Sequence, residues 1–223
     1  MKENYVHVCF VIDESGSMYT SIDDVKGGFK KIIEEQSAKE EGKCSVSMFS
    51  FNDKVTQHFL GKDVKEVESI LSYSPGGCTA LNDGVGQAID EVGKWLREMP
   101  EDERPSSNLI VIMTDGGENA SKEYSLARVR EMIKHQTDKY NWTFMYMGAD
   151  ITSSDIADSM GVKYRGFSSK SSLASNYAMF NSVLGKVRSG ESLDSATCAF
   201  SSALNDTYAK ETGIKLGNIG GEE

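Results

Sequence analysis

The segment Asp13-Glu14-Ser15-Gly16-Ser17 decides the fold of this chain, because it separates an apolar run from an amphipathic segment. The run before it, Val6-His7-Val8-Cys9-Phe10-Val11-Ile12, is short and mostly apolar, as is typical of a buried strand. The segment after it starts near Ile22 and has the periodicity of a helix. The motif therefore lies where a strand ends and a helix begins, and ligands bind at this edge of open α/β sheets.

The motif carries one carboxylate and two hydroxyls at alternate positions. Asp13, Ser15 and Ser17 can therefore turn their side-chain oxygens toward one point, and Gly16 allows the backbone to turn tightly. Hard oxygen donors of this kind suit Mg²⁺ or Mn²⁺. The same residue types are also common as helix N-caps and turn formers. Taken alone, the motif leaves both a metal site and a simple turn open.

Two further polar segments strengthen the case for a metal site. Pro75-Gly76-Gly77-Cys78-Thr79 precedes a second amphipathic helix. Thr114-Asp115-Gly116 follows a second apolar run, Leu109-Ile110-Val111-Ile112-Met113. In a chain that alternates strands and helices, all three segments fall at the same edge of a parallel sheet.

The remaining pattern predicts a doubly wound α/β sheet. Besides the first strand, we predict strands at 44–51, 54–60, 109–113, 142–147 and 162–167. We predict helices at 21–40, 63–71, 81–96, 122–137, 154–160 and 171–188. The second and third strands are joined by the turn signal Asn52-Asp53, which indicates an antiparallel hairpin at the edge of the sheet.

The chain resembles a von Willebrand factor type A domain in three segments, over residues 5 to about 188. The segments hold Asp13, Ser15 and Ser17, then Thr79 in Gly-Gly-Cys-Thr-Ala-Leu-Asn-Asp-Gly, then Asp115 in Met-Thr-Asp-Gly-Gly. The resemblance implies a mostly parallel, six-stranded, Rossmann-like sheet in the order 3-2-1-4-5-6. Strand 3 is then antiparallel, and helices flank the sheet.

The resemblance also implies a metal-ion-dependent adhesion site. Its ligands are Asp13, Ser15, Ser17, Thr79 and Asp115. The two serines and the threonine are expected to ligate directly, and the two aspartates to bind directly or through water. Mg²⁺ is the expected cation, with Mn²⁺ or Ca²⁺ as alternatives.

Three further acids lie close to these motifs in sequence. Asp83, one turn into its helix, either lies just outside the metal ligands and supports them or is simply a first-turn helix acid. Glu118 and Asp150 either rim the site or are solvated loop acids.

The family implies a Mg²⁺-dependent protein-binding module whose protein partner offers an Asp or Glu to the cation. The alternatives are an adaptor of an ATPase-driven assembly and a Mg²⁺-dependent hydrolase. The sequence has no G-x-S-x-G elbow and no Walker A glycine loop, and Ser15 stands where an aspartyl-phosphate enzyme would carry a second Asp. We therefore expect a protein that is not an enzyme.

Composition narrows the class of protein further. The chain has 223 residues and a formal net charge of −10, which argues against binding nucleic acid. No apolar run approaches the roughly 20 residues of a membrane-spanning helix, so we expect no membrane contact. The start, Met1-Lys2-Glu3-Asn4-Tyr5, lacks the layout of a signal peptide. We predict a cytoplasmic protein and favour a monomer.

The cysteines and the C-terminal region complete these expectations. The four cysteines contain no C-x-x-C pair, so we expect free thiols and no zinc site: Cys9, Cys44, Cys78 and Cys198. We predict a domain over 1–188 and a C-terminal extension over 189–223. The extension should form a helix to about Tyr208 and then a disordered tail.

Overall fold

The computed structural model of the chain describes residues 1–68, 72–148, 153–167 and 173–213. The strands are β1 Lys2–Asp13, β2 Lys43–Phe51, β3 Val55–Asp63, β4 Pro105–Thr114, β5 Thr143–Gly148 and β6 Tyr164–Phe167. The helices are α1 Ile22–Ser37, α2 Leu81–Glu98, α3 Leu126–Tyr140, α4 Ser153–Met160, α5 Leu173–Arg188 and α6 Leu193–Thr212. Short 3-10 helices lie at Gly16–Ser21, Val64–Glu66 and Glu101–Glu103.

The described strands form one six-stranded sheet in the order β3-β2-β1-β4-β5-β6. Strand β1 pairs in parallel with both β2 and β4. Strands β4, β5 and β6 continue the parallel arrangement, and β3 is antiparallel to β2. The predicted fold class is confirmed, including the strand order and the antiparallel edge hairpin.

The central strand β1 is buried on both faces, as expected for a parallel strand covered by helices. On one face, Phe10 packs edge-on against Phe29 of α1 and Phe180 of α5, with ring centroids 6.0 and 5.9 Å away. On the other face, Val11 belongs to a core cluster that includes residues of α2 and α3. This packing on both sides holds the carboxyl end of β1 in a fixed position.

Helix α6 agrees with the helix predicted in the C-terminal region. Its Phe200 packs against Phe180 of α5 at 5.9 Å between ring centroids. Leu193, Ala196 and Leu204 of α6 join the same core cluster as the residues of α1. The predicted tail lies beyond Gly213, outside the described residues, and the division of the chain at residue 188 stays a prediction.

Two of the predicted helices were wrong in part. The helix predicted at 63–71 is a single 3-10 turn, Val64–Glu66, after which Val67 has extended backbone angles; residues 69–71 lie outside the described ranges. The helix predicted from Lys122 starts at Leu126, with Ser125 as its N-cap. Asp63 caps the first of these as expected, by accepting the N–H of Lys65, but the turn ends at Val67. The second begins later because Ser125 caps it, by accepting the N–H of Arg128.

All four cysteines are free; Cys9 and Cys44 are buried, and Cys78 and Cys198 are exposed. No helix within the described ranges combines the length and the apolar character needed to cross a bilayer.

Candidate metal centre

The carboxylate of Asp13 lies at the base of the site. Strands β1 and β4 are parallel neighbours, so Asp13 and Thr114 end side by side. Thr114 Oγ1 donates to Asp13 Oδ2 at 2.5 Å, and the backbone N–H of Ser15 donates to Asp13 Oδ1 at 2.7 Å. Asp13 is fully buried, so these two bonds fix its carboxylate.

Above Asp13, three side-chain oxygens follow one another toward the surface. Ser15 Oγ lies 3.0 Å from Ser17 Oγ, and Ser17 Oγ donates to Asp115 Oδ1 at 2.6 Å. Ser15 is buried, Ser17 is exposed and Asp115 is half-buried, so the row is reachable from solvent at Ser17. The hydroxyls of the first motif and the carboxylate of the third thus share one small region.

Thr79 approaches the same region from the second loop. A Cβ built on Gly116 would lie 3.6 Å from Ser17 Oγ and 3.8 Å from Thr79 Oγ1. Both hydroxyls therefore face the same stretch of backbone, immediately after Asp115. The structure brings together at one sheet edge the side chains that sequence analysis selected: Asp13, Ser15, Ser17, Thr79 and Asp115.

The donor set fits a hard divalent cation. Neighbouring ligands around an octahedral Mg²⁺ with bonds of about 2.1 Å are about 3 Å apart, close to the 3.0 and 2.6 Å found along the row of oxygens. Among the described residues, no group of three or more His, Cys, Asp or Glu side chains could hold a metal. A cation here would therefore depend on hydroxyl oxygens together with two carboxylates.

Two opposing effects act on the charge of Asp13. Burial raises the pKa of Asp13 above its ordinary value, and the negative charge of Asp115 raises it further. Hydrogen bonds from Thr114 and Ser15 lower the pKa and so stabilise the ionised form. A cation between the two carboxylates would offset their mutual repulsion.

Glu14, which the sequence analysis did not select, joins the first motif to its neighbours. Its Oε1 accepts a hydrogen bond from the N–H of Ser74 at 2.6 Å, and its Oε2 accepts one from Ser50 Oγ at 2.6 Å. Its carbonyl accepts a bond from the N–H of Gly76 at 2.9 Å. Glu14 therefore ties the end of β1 to β2 and to the loop that carries Thr79.

Tyr73 makes a second, buried link between the same segments. Its hydroxyl donates to the carbonyl of Asp13 at 2.5 Å, and the side chain is only 3% exposed. Burial raises the pKa of Tyr73, so the phenol stays a donor at every physiological pH. Nothing in the sequence around Tyr73 indicates this contact, because its partner lies 60 positions away.

Two of the acids predicted around the site, Asp83 and Glu118, each accept several hydrogen bonds from the protein. Asp83 accepts hydrogen bonds from the N–H groups of Lys122, Glu123 and Tyr124 at 2.8 to 2.9 Å. Glu118 accepts hydrogen bonds from the backbone N–H groups of Asn82, Ala120 and Ser121 and from the hydroxyl of Ser121. Both carboxylates are thus occupied by the loop after β4 and the start of α2. Asp150 lies outside the described residues.

Comparison with known proteins agrees with this architecture. The family profile of the von Willebrand factor type A domain matches residues 7–160. Comparison with curated protein sequences found no match.

Solved structures of similar fold come from distant proteins. Proximal thread matrix protein 1 from the mussel byssus, with a zinc-occupied MIDAS (metal-ion-dependent adhesion site) motif, is 19% identical with a TM-score of 0.54, over 82% of this chain and 45% of its own. A von Willebrand factor type A protein from Catenulispora acidiphila is 15% identical with a TM-score of 0.56, over 83% of this chain and 43% of its own. The PilB minor pilin from Streptococcus sanguinis is 14% identical with a TM-score of 0.57, over 83% of this chain and 62% of its own.

At these identities the likeness concerns the fold alone. This chain spans less than two thirds of the length of each of the three proteins. The family profile, however, covers more than half of the 223 residues and includes all three polar segments. The chain belongs to the von Willebrand factor type A domain family.

Proposed function

We propose that this chain is a protein-binding module that depends on a divalent cation, with Mg²⁺ as the cation and an Asp or Glu of a protein partner as the bound group. The observation that carries the proposal is the row of oxygens from Ser15 Oγ through Ser17 Oγ to Asp115 Oδ1, with steps of 3.0 and 2.6 Å. The row lies at the carboxyl edge of the sheet, and its middle member Ser17 is exposed, so a partner can reach it.

The composition of the site explains why a partner carboxylate fits. Ser15, Ser17 and Thr79 are neutral donors, so Asp13 and Asp115 supply all the negative charge of the set. When bound, Mg²⁺ would supply electrophilic coordination positions for a further oxygen ligand. The nearby carboxylates are held by hydrogen bonds to the protein and do not compete for those positions: Glu14, Asp83 and Glu118.

The overall acidity of the chain does not prevent the binding of an anionic group. Beyond about 8 Å at physiological ionic strength, exposed charges are largely screened. Close to the site, the charge of the cation dominates the local field. The net charge of −10 therefore affects the approach of a partner more than the final contact.

A hydrolase is less well supported than a binding module. His58, the histidine nearest to the first motif in the hydrogen-bond network, has its Nε2 2.9 Å from Ser50 Oγ, and Ser50 in turn donates to Glu14. The acids that surround the site are occupied as described. Because these groups are already hydrogen-bonded to the protein, none of them is marked out as a general base for hydrolysis. The cytoplasmic location, the monomeric state and the absence of catalysis stay predictions.

Acetate is a suitable probe for the proposed carboxylate site. Protein-bound Mn²⁺ enhances the relaxation of water protons, and a carboxylate that takes a coordination position lowers this enhancement. We expect acetate to lower it in a saturable way and neutral acetamide, the matched control, to leave it unchanged. The variant carrying Ser15→Ala and Ser17→Ala should give no protein-dependent enhancement. Equal effects of acetate and acetamide on the wild-type protein would contradict the proposal.

A further inference from the structure

The loop after β4 completes the N-terminus of helix α2. The N-cap residue of α2 is Ala80, which has no side chain able to cap the helix. The first N–H groups of a helix need partners from outside it. Glu118 Oε2 accepts the N–H of Asn82 at 2.8 Å, and Ser121 Oγ accepts the N–H of Asp83 at 3.0 Å.

Hydrogen bonds also run in the opposite direction, from the loop to the helix. The carboxylate of Asp83 accepts three consecutive backbone N–H groups of the loop, those of residues 122–124. The loop is thus bonded to α2 over residues 122–124, and α3 begins directly after this stretch, where Ser125 caps it. The two segments therefore hold each other.

Asn119 adds hydrogen bonds from the same loop to a residue of the proposed metal site. Its side-chain Oδ1 accepts the N–H of Thr79 at 2.8 Å, and its own N–H donates to the carbonyl of Thr79 at 3.0 Å. Thr79 is 4% exposed, and Asn82 and Asp83 are 6% and 9% exposed. The helix side of these bonds is therefore shielded from water, although the side chain of Asn119 is itself exposed.

We propose that Glu118, Asn119 and Asp83 are positioning residues that hold Thr79 and Asp115 as one rigid unit before any cation binds. Thr79 and Asp115 lie on different loops, and a cation needs both at ligand distance. Loops that had to be ordered on binding would weaken the affinity, whereas loops ordered in advance do not. The proposed effect on the cation rests on the proposed function, but the coupling between the loops does not.

Amide hydrogen exchange in the presence of a chelator tests the coupling without any metal. Glu118→Gln keeps the shape of the side chain but turns an NH₂ group toward N–H donors. We expect the amide of Thr79, which binds Asn119 and not Glu118, to exchange at least about tenfold faster in this variant. The matched control is Glu123→Gln, which removes one charge from an exposed side chain of the same loop. Unchanged exchange at Thr79, with faster exchange at Asn82 alone, would reduce Glu118 to a local cap and overturn the inference.

Calorimetric titration with Mg²⁺ tests the consequence for the site. In about 1 M KCl, where the Debye length is about 3 Å, the loss of one distant charge is largely screened. Under these conditions we expect Glu118→Gln to raise the Kd for Mg²⁺ about tenfold and Glu123→Gln to leave it unchanged. An unchanged Kd in Glu118→Gln would overturn the inference.

A third variant keeps the test decisive if Glu118→Gln fails to fold. Asn119→Ala leaves both carboxylates in place and should give the same pattern, with faster exchange at the amides of Asn82 and Asp83 and a weaker affinity for Mg²⁺. If wild-type protein binds no Mg²⁺ at all, the proposed function fails, and the exchange data alone decide whether the loops form one unit.

Discussion

Ser17 Oγ donates a hydrogen bond of 2.6 Å to Asp115 Oδ1, although the two residues are 98 positions apart in the chain. The bond is possible because β1 and β4 are adjacent and parallel, so the loops that follow them leave the sheet side by side. The site therefore assembles only when the centre of the sheet has formed.

We expect Asp115→Ala to weaken metal binding more than folding. The variant loses an exposed hydrogen bond from Ser17 but also the repulsion between Asp115 and Asp13, so the free energy of unfolding without metal should change by less than about 1 kcal/mol. Melting temperatures with and without millimolar Mg²⁺ measure the binding, because a ligand stabilises the state that binds it. Glu123→Ala is the control. If Mg²⁺ raises the melting temperature of Asp115→Ala as much as that of the wild type, the assigned role is wrong.

Removal of the Tyr73 hydroxyl should destabilise the protein. Tyr73→Phe leaves the buried carbonyl of Asp13 without this donor, and we expect a loss of about 1 to 3 kcal/mol in the free energy of unfolding. Tyr140→Phe, at a side chain that is 53% exposed, should cost much less. Urea unfolding of the two variants gives both values. Equal losses would mean that the Tyr73 hydroxyl has no special structural role.

The buried His7 should make the protein less stable in mild acid. Burial lowers the pKa of His7 from 6.5 to about 3, and its ring nitrogens lie 2.9 and 3.2 Å from the hydroxyls of Ser45 and Ser47. The unfolded state takes up the proton first, so the stability from neutral His7 is complete above about pH 6.5 and is lost as the pH falls toward 3. This amounts to about 2 kcal/mol at pH 5.

Urea unfolding at pH 7 and pH 5 measures the contribution of His7 by comparison with His7→Gln. The variant should be less stable at pH 7 but should lose about 2 kcal/mol less than the wild type between the two pH values. His135→Gln, at an exposed histidine, should keep the wild-type difference. Identical pH dependence in the wild type and His7→Gln would rule out the proposed charge state of His7.

Alkylation should separate the cysteines into two classes. Cys78 and Cys198 are exposed and should react in the native protein, whereas Cys9 and Cys44 are buried and should react only after unfolding. Burial raises the pKa of Cys44 to about 12 and also raises that of Cys9, so their reactive thiolates are scarce. Mass spectrometry after alkylation without reductant counts the modified thiols. A pair that stays protected after unfolding would reveal a disulfide.

Local patterns were sufficient to predict the frame of the fold. The apolar runs of β1 and β4 indicate buried strands because parallel strands are covered on both faces. The polar segments that follow them then lie at the same edge, and the turn signal between β2 and β3 predicts the edge hairpin. These features depend on neighbours in sequence, and the structure has all of them.

The supports of the site could not be predicted because they depend on distant residues. Tyr73 and Glu14 act on partners that lie 36 or 60 positions away. Asp83 has the sequence pattern of a first-turn helix acid, yet it also binds the backbone of the loop about 40 positions later. Nothing in the local pattern around Asn119 indicates that it accepts a hydrogen bond from the N–H of Thr79. Hydrogen bonds of this kind join residues that are distant in sequence, so they can be identified only from the folded structure.

Crystals grown in millimolar Mn²⁺ test the central claim most directly, because Mn²⁺ replaces Mg²⁺ and gives an anomalous signal. The account predicts one strong anomalous peak within about 2.3 Å of Ser15 Oγ and Ser17 Oγ, next to Thr79 and Asp115. Crystals of the protein with Ser15→Ala and Ser17→Ala should have no such peak. A well-ordered wild-type site with no anomalous peak near Ser15 and Ser17 would contradict the account.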